Sequence, residues 1–99
     1  MAVRLVLSDV AEADIEAIGD YIALDSSQAA VRFVAHLRER CESLTTFPAR
    51  GKPFGPRNRA LLVGDYLIVY RAAQSGSDPL IEVIRVVHGA RDLSALSGS

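Results

Sequence analysis

Residues 3–7 read Val-Arg-Leu-Val-Leu, and Val3, Leu5 and Leu7 alternate onto one face with the two-residue period of a β-strand. From Ser8 the period lengthens. Ala11, Ile15, Ile18 and Ile22 are spaced by four, three and four, which draws one apolar stripe along a helix over 9–24. Ser8 and Asp9 are helix starters, and Asp9 with Glu12 three residues on makes an acidic version of the capping box. Glu12, Glu16 and Asp20 repeat every four residues on another face, a solvated row whose mutual repulsion the helix tolerates. Asp25, Ser26 and Ser27 interrupt the stripe and cap a second helix over 27–45, with Ala30, Phe33, Val34, Leu37, Cys41 and Leu44 on its apolar side. Two amphipathic helices this close in sequence form an antiparallel hairpin, which Pro48 closes.

Residues 48–58 hold three of the four prolines and two of the seven glycines, and this composition predicts a loop. The loop carries Arg50, Lys52 and Arg57 without an acid, and Arg59 follows at once. A short strand over 60–63 then meets Gly64-Asp65, a two-residue turn of type II′ pattern. The return strand covers 66–71, with Tyr66, Ile68 and Tyr70 on one face and Leu67, Val69 and Arg71 on the other. Residues 74–79 read as a polar turn, and 80–87 as a last strand apolar on both faces apart from Glu82 and Arg85, the pattern of a central strand covered on both sides. In the tail, 88–99, Asp92 can cap a helical turn over 93–96. The order β-α-α-β-β-β defines an α+β domain. An antiparallel three-stranded meander over 60–87 and the first strand form a sheet, and the helical hairpin covers one face of it.

The 99 residues make one domain, and 49% apolar with 23% charged residues excludes disorder for the bulk. The apolar runs are far too short to span a membrane, and the N-terminus shows no leader-like apolar stretch. Cys41 is the single cysteine, which excludes an internal disulfide and a cysteine-rich zinc site and fits a reducing cytosol. Its place on the apolar stripe makes it a core residue. The net charge of −1 is unevenly spread. Residues 1–47 hold four basic and eight acidic side chains, and residues 48–99 hold seven basic and four acidic. A basic second half suits an acidic partner. Nucleic acid fits less well, because the pI is near 6.1 and Phe54 is the one aromatic residue in the loop.

Several stretches together resemble the RelE/ParE superfamily of toxins from type II toxin–antitoxin systems, most closely its ParE, or plasmid-stabilisation, branch. They are Leu7-Ser8 leading into Ala13-Asp14-Ile15-Glu16-Ala17-Ile18 and Tyr21-Ile22; Ala30 and Phe33; and Leu44-Thr45-Thr46-Phe47-Pro48 followed by Arg50-Gly51. Tyr66-Leu67-Ile68-Val69-Tyr70-Arg71 and Ile84-Arg85-Val86-Val87-His88-Gly89-Ala90-Arg91-Asp92-Leu93 complete the set. The resemblance spans about residues 3–96 and implies the same fold. It implies a toxin neutralised by a ParD-like antitoxin, whose segment would lie in the outer grooves of the helical hairpin or on a sheet edge. DNA would be met only through the antitoxin. A homodimer and a hetero-oligomer with the antitoxin both stay open, and no cofactor or metal is implied.

The superfamily offers two activities. ParE-like members are associated with inhibition of DNA gyrase by binding, and RelE-like members with cleavage of messenger RNA on the ribosome. The RNA-cutting branch commonly has a basic residue after the tyrosine of the third strand, where this chain has Leu67. The C-terminal tyrosine of that branch falls near Leu96 or on nothing. Its lysines fall near Asn58 and Ala60, with Arg59 serving if the match slips by one. RNA cleavage needs a base, an acid and cations for the developing phosphate charge. Only His88 with Arg59, Arg85 and Arg91 is left as a candidate catalytic set, and a structural role for His88 is the plainer reading. His36, among Arg32, Arg38 and Arg40, reads as a surface residue. Arg71 reads as partly buried and paired with Glu82 or Asp92. The expected activity is therefore gyrase inhibition by binding. Arg50, Lys52, Arg57 and Arg59 are the candidate partner-binding residues, and no catalytic residue is assigned. The alternatives are a ribosome-dependent endoribonuclease and an inactive toxin that only binds antitoxin.

Overall fold

The structure, a computed structural model, describes residues 3–90. Its elements are β1 (Arg4–Leu7), α1 (Asp9–Ala23), α2 (Ser27–Ser43), β2 (Lys52–Phe54), β3 (Asn58–Val63), β4 (Tyr66–Ser75) and β5 (Asp78–His88). The expected α+β order is present with one strand more. Residues 52–54, expected in a loop, form β2, antiparallel to β3 with Lys52 opposite Ala60 and Phe54 opposite Asn58. The strand order β1-β5-β4-β3-β2 places β2 at an edge, and this is why Pro53 fits. An edge strand needs ladder bonds on one side only, so a missing N–H costs it little.

The first strand pairs with the last, in parallel, with Leu5 opposite Ile81 and Leu7 opposite Val83. The turn between β3 and β4 is two residues long, since Val63 pairs with Tyr66. Gly64 has φ +59°, and among the described residues no non-glycine, Asp65 included, has positive φ, as a type II′ turn requires. The polar turn expected over 74–79 shrinks to Gly76 and Ser77, because Ser75 pairs with Asp78 and lengthens both strands. Polarity does not forbid a ladder on an arm that faces water. The helical turn expected over 93–96 lies outside the described residues.

The N-cap of α1 is Ser8, not Asp9. Its Oγ accepts the Ala11 N–H at 3.0 Å and donates to the Ile84 carbonyl at 2.8 Å. Ser26 caps α2, its Oγ accepting the Ala29 N–H at 3.1 Å. Both apolar stripes face the sheet as expected. Ala11, Ile15 and Ile18 from α1 and Leu37, Cys41 and Leu44 beyond them pack on Leu61, Val63, Tyr66, Ile68, Tyr70, Ile81, Val83 and Val86. The helices cover one face of the sheet. Val69 and Val87 point the other way and are nevertheless buried, so β5 is enclosed more fully than a one-sided sheet would suggest. His36 is on the surface, as expected.

β1 is four residues long, so it leaves the edge of β5 open beyond Val83. There β5 bulges against Val69 and Tyr70. The loose backbone groups are taken up by α1: Ser8 takes the Ile84 carbonyl, and the Asp14 carboxylate accepts the Val86 N–H at 2.9 Å.

Candidate partner-binding site

The basic residues after α2 form an arm, the β2–β3 hairpin and the segment leading into it. Arg50, Lys52 and Arg57 are exposed on it, and no acid lies between residues 47 and 64. The Arg50 guanidinium stacks on the Phe47 ring, 4.9 Å from its centre. The arm borders a cleft of about 450 Å³ lined by Arg50, Lys52, Pro53, Phe54, Leu62 and Leu67, among others. Leu62, on its floor, is 64% exposed. The cleft thus offers an apolar floor and a cationic rim, a combination that suits acidic chain bearing apolar side chains.

Arg59 is not part of this exposed rim. Its Nη1 donates to the Gly51 carbonyl at 2.7 Å, so it ties the arm to itself. Beside it the Tyr70 hydroxyl donates to the Pro48 carbonyl at 2.7 Å and accepts the Gly51 N–H at 2.8 Å. A signal for this was present in the sequence: Tyr70 is a tyrosine on a core-facing strand, and a buried phenol needs a hydrogen-bond partner.

Of the candidate catalytic set, Arg85 and His88 come together, and Arg59 stands apart from them. Arg85 pairs with Asp14, through Nε at 2.8 Å and Nη2 at 3.1 Å. His88 stands edge-on to the Tyr66 ring, 5.3 Å between centres, and its Nδ1 accepts the Ala90 N–H at 3.2 Å. Arg85, His88, Tyr66 and Asp14 share a small cleft of about 160 Å³, which Arg59 does not reach. Arg59 is opposite Tyr70, whereas His88 is opposite Tyr66. Those registers are four residues apart on β4, about 13 Å along the strand. Arg91 lies outside the described residues.

Arg71 pairs with Glu82 at 2.9 Å, one of its two expected partners, but is exposed where partial burial was expected. It follows the core-facing Tyr70 on β4 and so faces away from the helices. Cys41 is fully buried, and burial pushes its thiol up from 9.0 to about 11, with Arg38 opposing the shift. A thiol so hard to ionise is a poor nucleophile. Among the described residues, no group of three or more His, Cys, Asp or Glu side chains could hold a metal, and no helix is long and apolar enough to cross a membrane.

A helical hairpin on one face of a mixed sheet is an arrangement that solved structures share. The chain is similar in fold to a structure of a chromosomal ParDE toxin–antitoxin system from P. aeruginosa, with TM-score 0.74 and 22% identity over 88% of this chain and 96% of that one. It is similar also to the RelBE2 toxin–antitoxin complex from Mycobacterium tuberculosis, with TM-score 0.65 and 18% identity over 89% and 99% of the two chains. The model of the family described as "ParE toxin of type II toxin-antitoxin system, parDE" matches residues 5–93. Toxin RelE2 of Caulobacter vibrioides is 38% identical over 80 residues, 80% of this chain and 86% of that protein. The putative toxin Y4kP of Sinorhizobium fredii is 32% identical over 77 residues, 75% of each. The chain belongs to the ParE toxin family of type II toxin–antitoxin systems.

Proposed function

We propose that this toxin inhibits DNA gyrase by binding it through the basic arm, and that a ParD-like antitoxin neutralises it. One observation carries the choice of binding over cleavage. Arg59 and Arg85, two of the three candidate cations for a phosphodiester-cleaving site, each hold an internal acceptor, Gly51 and Asp14, in separate parts of the sheet. Cleavage by positioned acid, base and cations needs those groups around one phosphate. The exposed Arg50, Lys52 and Arg57 instead suit an acidic surface, which they would attract over a distance and hold at a cationic rim. For the antitoxin, the groove between α1 and α2 lined by Glu12, Glu16, Gly19, Val34 and Arg38, and the open edges of β1 and β2, are the candidate docking surfaces.

The test is gyrase supercoiling with the purified chain. Inhibition at near-equimolar toxin is expected. Arg50→Glu with Lys52→Glu should weaken it by about tenfold or more, about 1.4 kcal/mol of binding. Untouched supercoiling at several-fold molar excess would overturn the reading. The second reading, RNA cleavage, draws on Arg85 and His88 sharing one cleft with Tyr66. Specific transcript cuts that disappear in His88→Ala would establish it.

A further inference from the structure

Two stretches far apart in the sequence, Pro48-Ala49-Arg50-Gly51 and the β4 strand, meet at a single oxygen. The Tyr70 ring is 1% exposed, between Arg59 on β3 and Val83 on β5, so the core fixes its hydroxyl. That hydroxyl holds the Pro48 carbonyl and the Gly51 N–H, while Arg59 holds the Gly51 carbonyl. Both backbone polar groups of Gly51, where the chain enters the arm, are therefore held by side chains. The fit leaves no room: a Cβ on Gly51 would stand 2.7 Å from the Tyr70 hydroxyl and 2.9 Å from the Ala60 carbonyl oxygen. Beyond this point β2 is only three residues long and, among the described residues, pairs with β3 alone. So short an edge strand has little hold of its own.

We propose that Tyr70 is a positioning residue: its hydroxyl, with Arg59, fixes the root of the basic arm so that Arg50, Lys52 and Arg57 meet an acidic partner in one geometry. An arm ordered in advance loses its conformational freedom on folding and not on binding, which leaves more of the contact energy for affinity. The inference rests on the reading that the arm is the partner-binding surface. It also separates two roles among the four basic candidates. Arg50, Lys52 and Arg57 contact the partner, and Arg59 holds the arm.

Tyr70→Phe tests it, because it keeps the ring in the core and removes only the oxygen. Amide exchange at Gly51 and Lys52 should speed up by about tenfold or more, while core amides of β4 and β5 keep their protection relative to global unfolding. Binding of a synthetic oligoglutamate peptide at low salt should weaken several-fold, and so should gyrase inhibition. Ile68→Val serves as the control, since it loosens the same core opposite Leu61 of β3 without touching the Tyr70 hydroxyl, Gly51 or β2. It should leave arm exchange, peptide binding and inhibition as in the wild type. Unchanged exchange at Gly51 in Tyr70→Phe would overturn the proposal. Faster exchange with peptide binding no weaker than in Ile68→Val would also overturn it. If the wild-type chain leaves gyrase untouched, the gyrase reading falls alone, and exchange with peptide binding still decides the role of Tyr70.

Discussion

The Asp14 carboxylate on α1 and the Arg85 guanidinium on β5 meet in a two-point ion pair across 71 positions of sequence, and the same carboxylate oxygen that accepts Arg85 Nε accepts the Val86 N–H. One side chain thereby stands in for the strand that β1 is too short to supply. It fastens α1 to the sheet where the end of β1 leaves the backbone of β5 without a ladder partner on that side. Asp14→Ala removes the acceptor from both groups, and a loss of about 2–4 kcal/mol is expected, since a partly buried donor is left behind. Urea unfolding checks it, and Asp14→Asn, which can still accept from Val86, should cost less.

The Arg71–Glu82 pair is an instructive contrast. Its side chains are 44% and 29% exposed, and it carries no backbone hydrogen bond. Water and salt screen such a pair, so a double-mutant cycle on Arg71→Ala and Glu82→Ala should give a coupling of about 0.2–1 kcal/mol that shrinks in high salt.

Gly51→Ala places a methyl group against the Tyr70 hydroxyl and the Ala60 carbonyl, neither of which is the free end of a flexible chain. A cost of about 1–3 kcal/mol is expected from overpacking. Combined with Tyr70→Phe the two effects should fall short of additive, because both act on one contact. Thermal or urea melts of the single and double variants measure this.

The pH dependence of stability should show Cys41. In the unfolded chain the thiol ionises near its ordinary 9.0, whereas in the fold burial holds it protonated to about 11. Between those values the folded state keeps a proton that the unfolded state has lost, so stability falls as pH rises through that window, by about 2–3 kcal/mol in all. Below pH 9 the residue makes no pH-dependent contribution. Urea midpoints of the wild type and Cys41→Ala, compared from pH 7.5 to 10.5, should converge as pH rises.

The helices were legible in the sequence because each buries one stripe, and a stripe at helical spacing is written in consecutive residues. The same holds for the alternation of Tyr66, Ile68 and Tyr70. β2 was not legible, because Pro53 and the flanking glycines and prolines carry the composition of a loop; its place at the sheet edge is what makes Pro53 acceptable in a strand. The basic arm was visible as charge, but Arg59 could not be told from its neighbours. Nothing local distinguishes a cation that faces water from one that binds the carbonyl eight residues before it.

The sequence by itself determined the two amphipathic helices, the hairpin turn at Gly64, the class of fold and the excess of positive charge after Pro48. These follow from periodicity and turn chemistry, which act over a few residues. Only the tertiary structure decided that β1 runs parallel to β5, that Asp14 closes the open edge of β5, and that the Tyr70 hydroxyl holds the root of the arm. Those bonds join residues 19 to 76 positions apart. A hydrogen bond is set by where two groups come to rest in space, and a one-dimensional pattern does not specify that meeting until the core has packed.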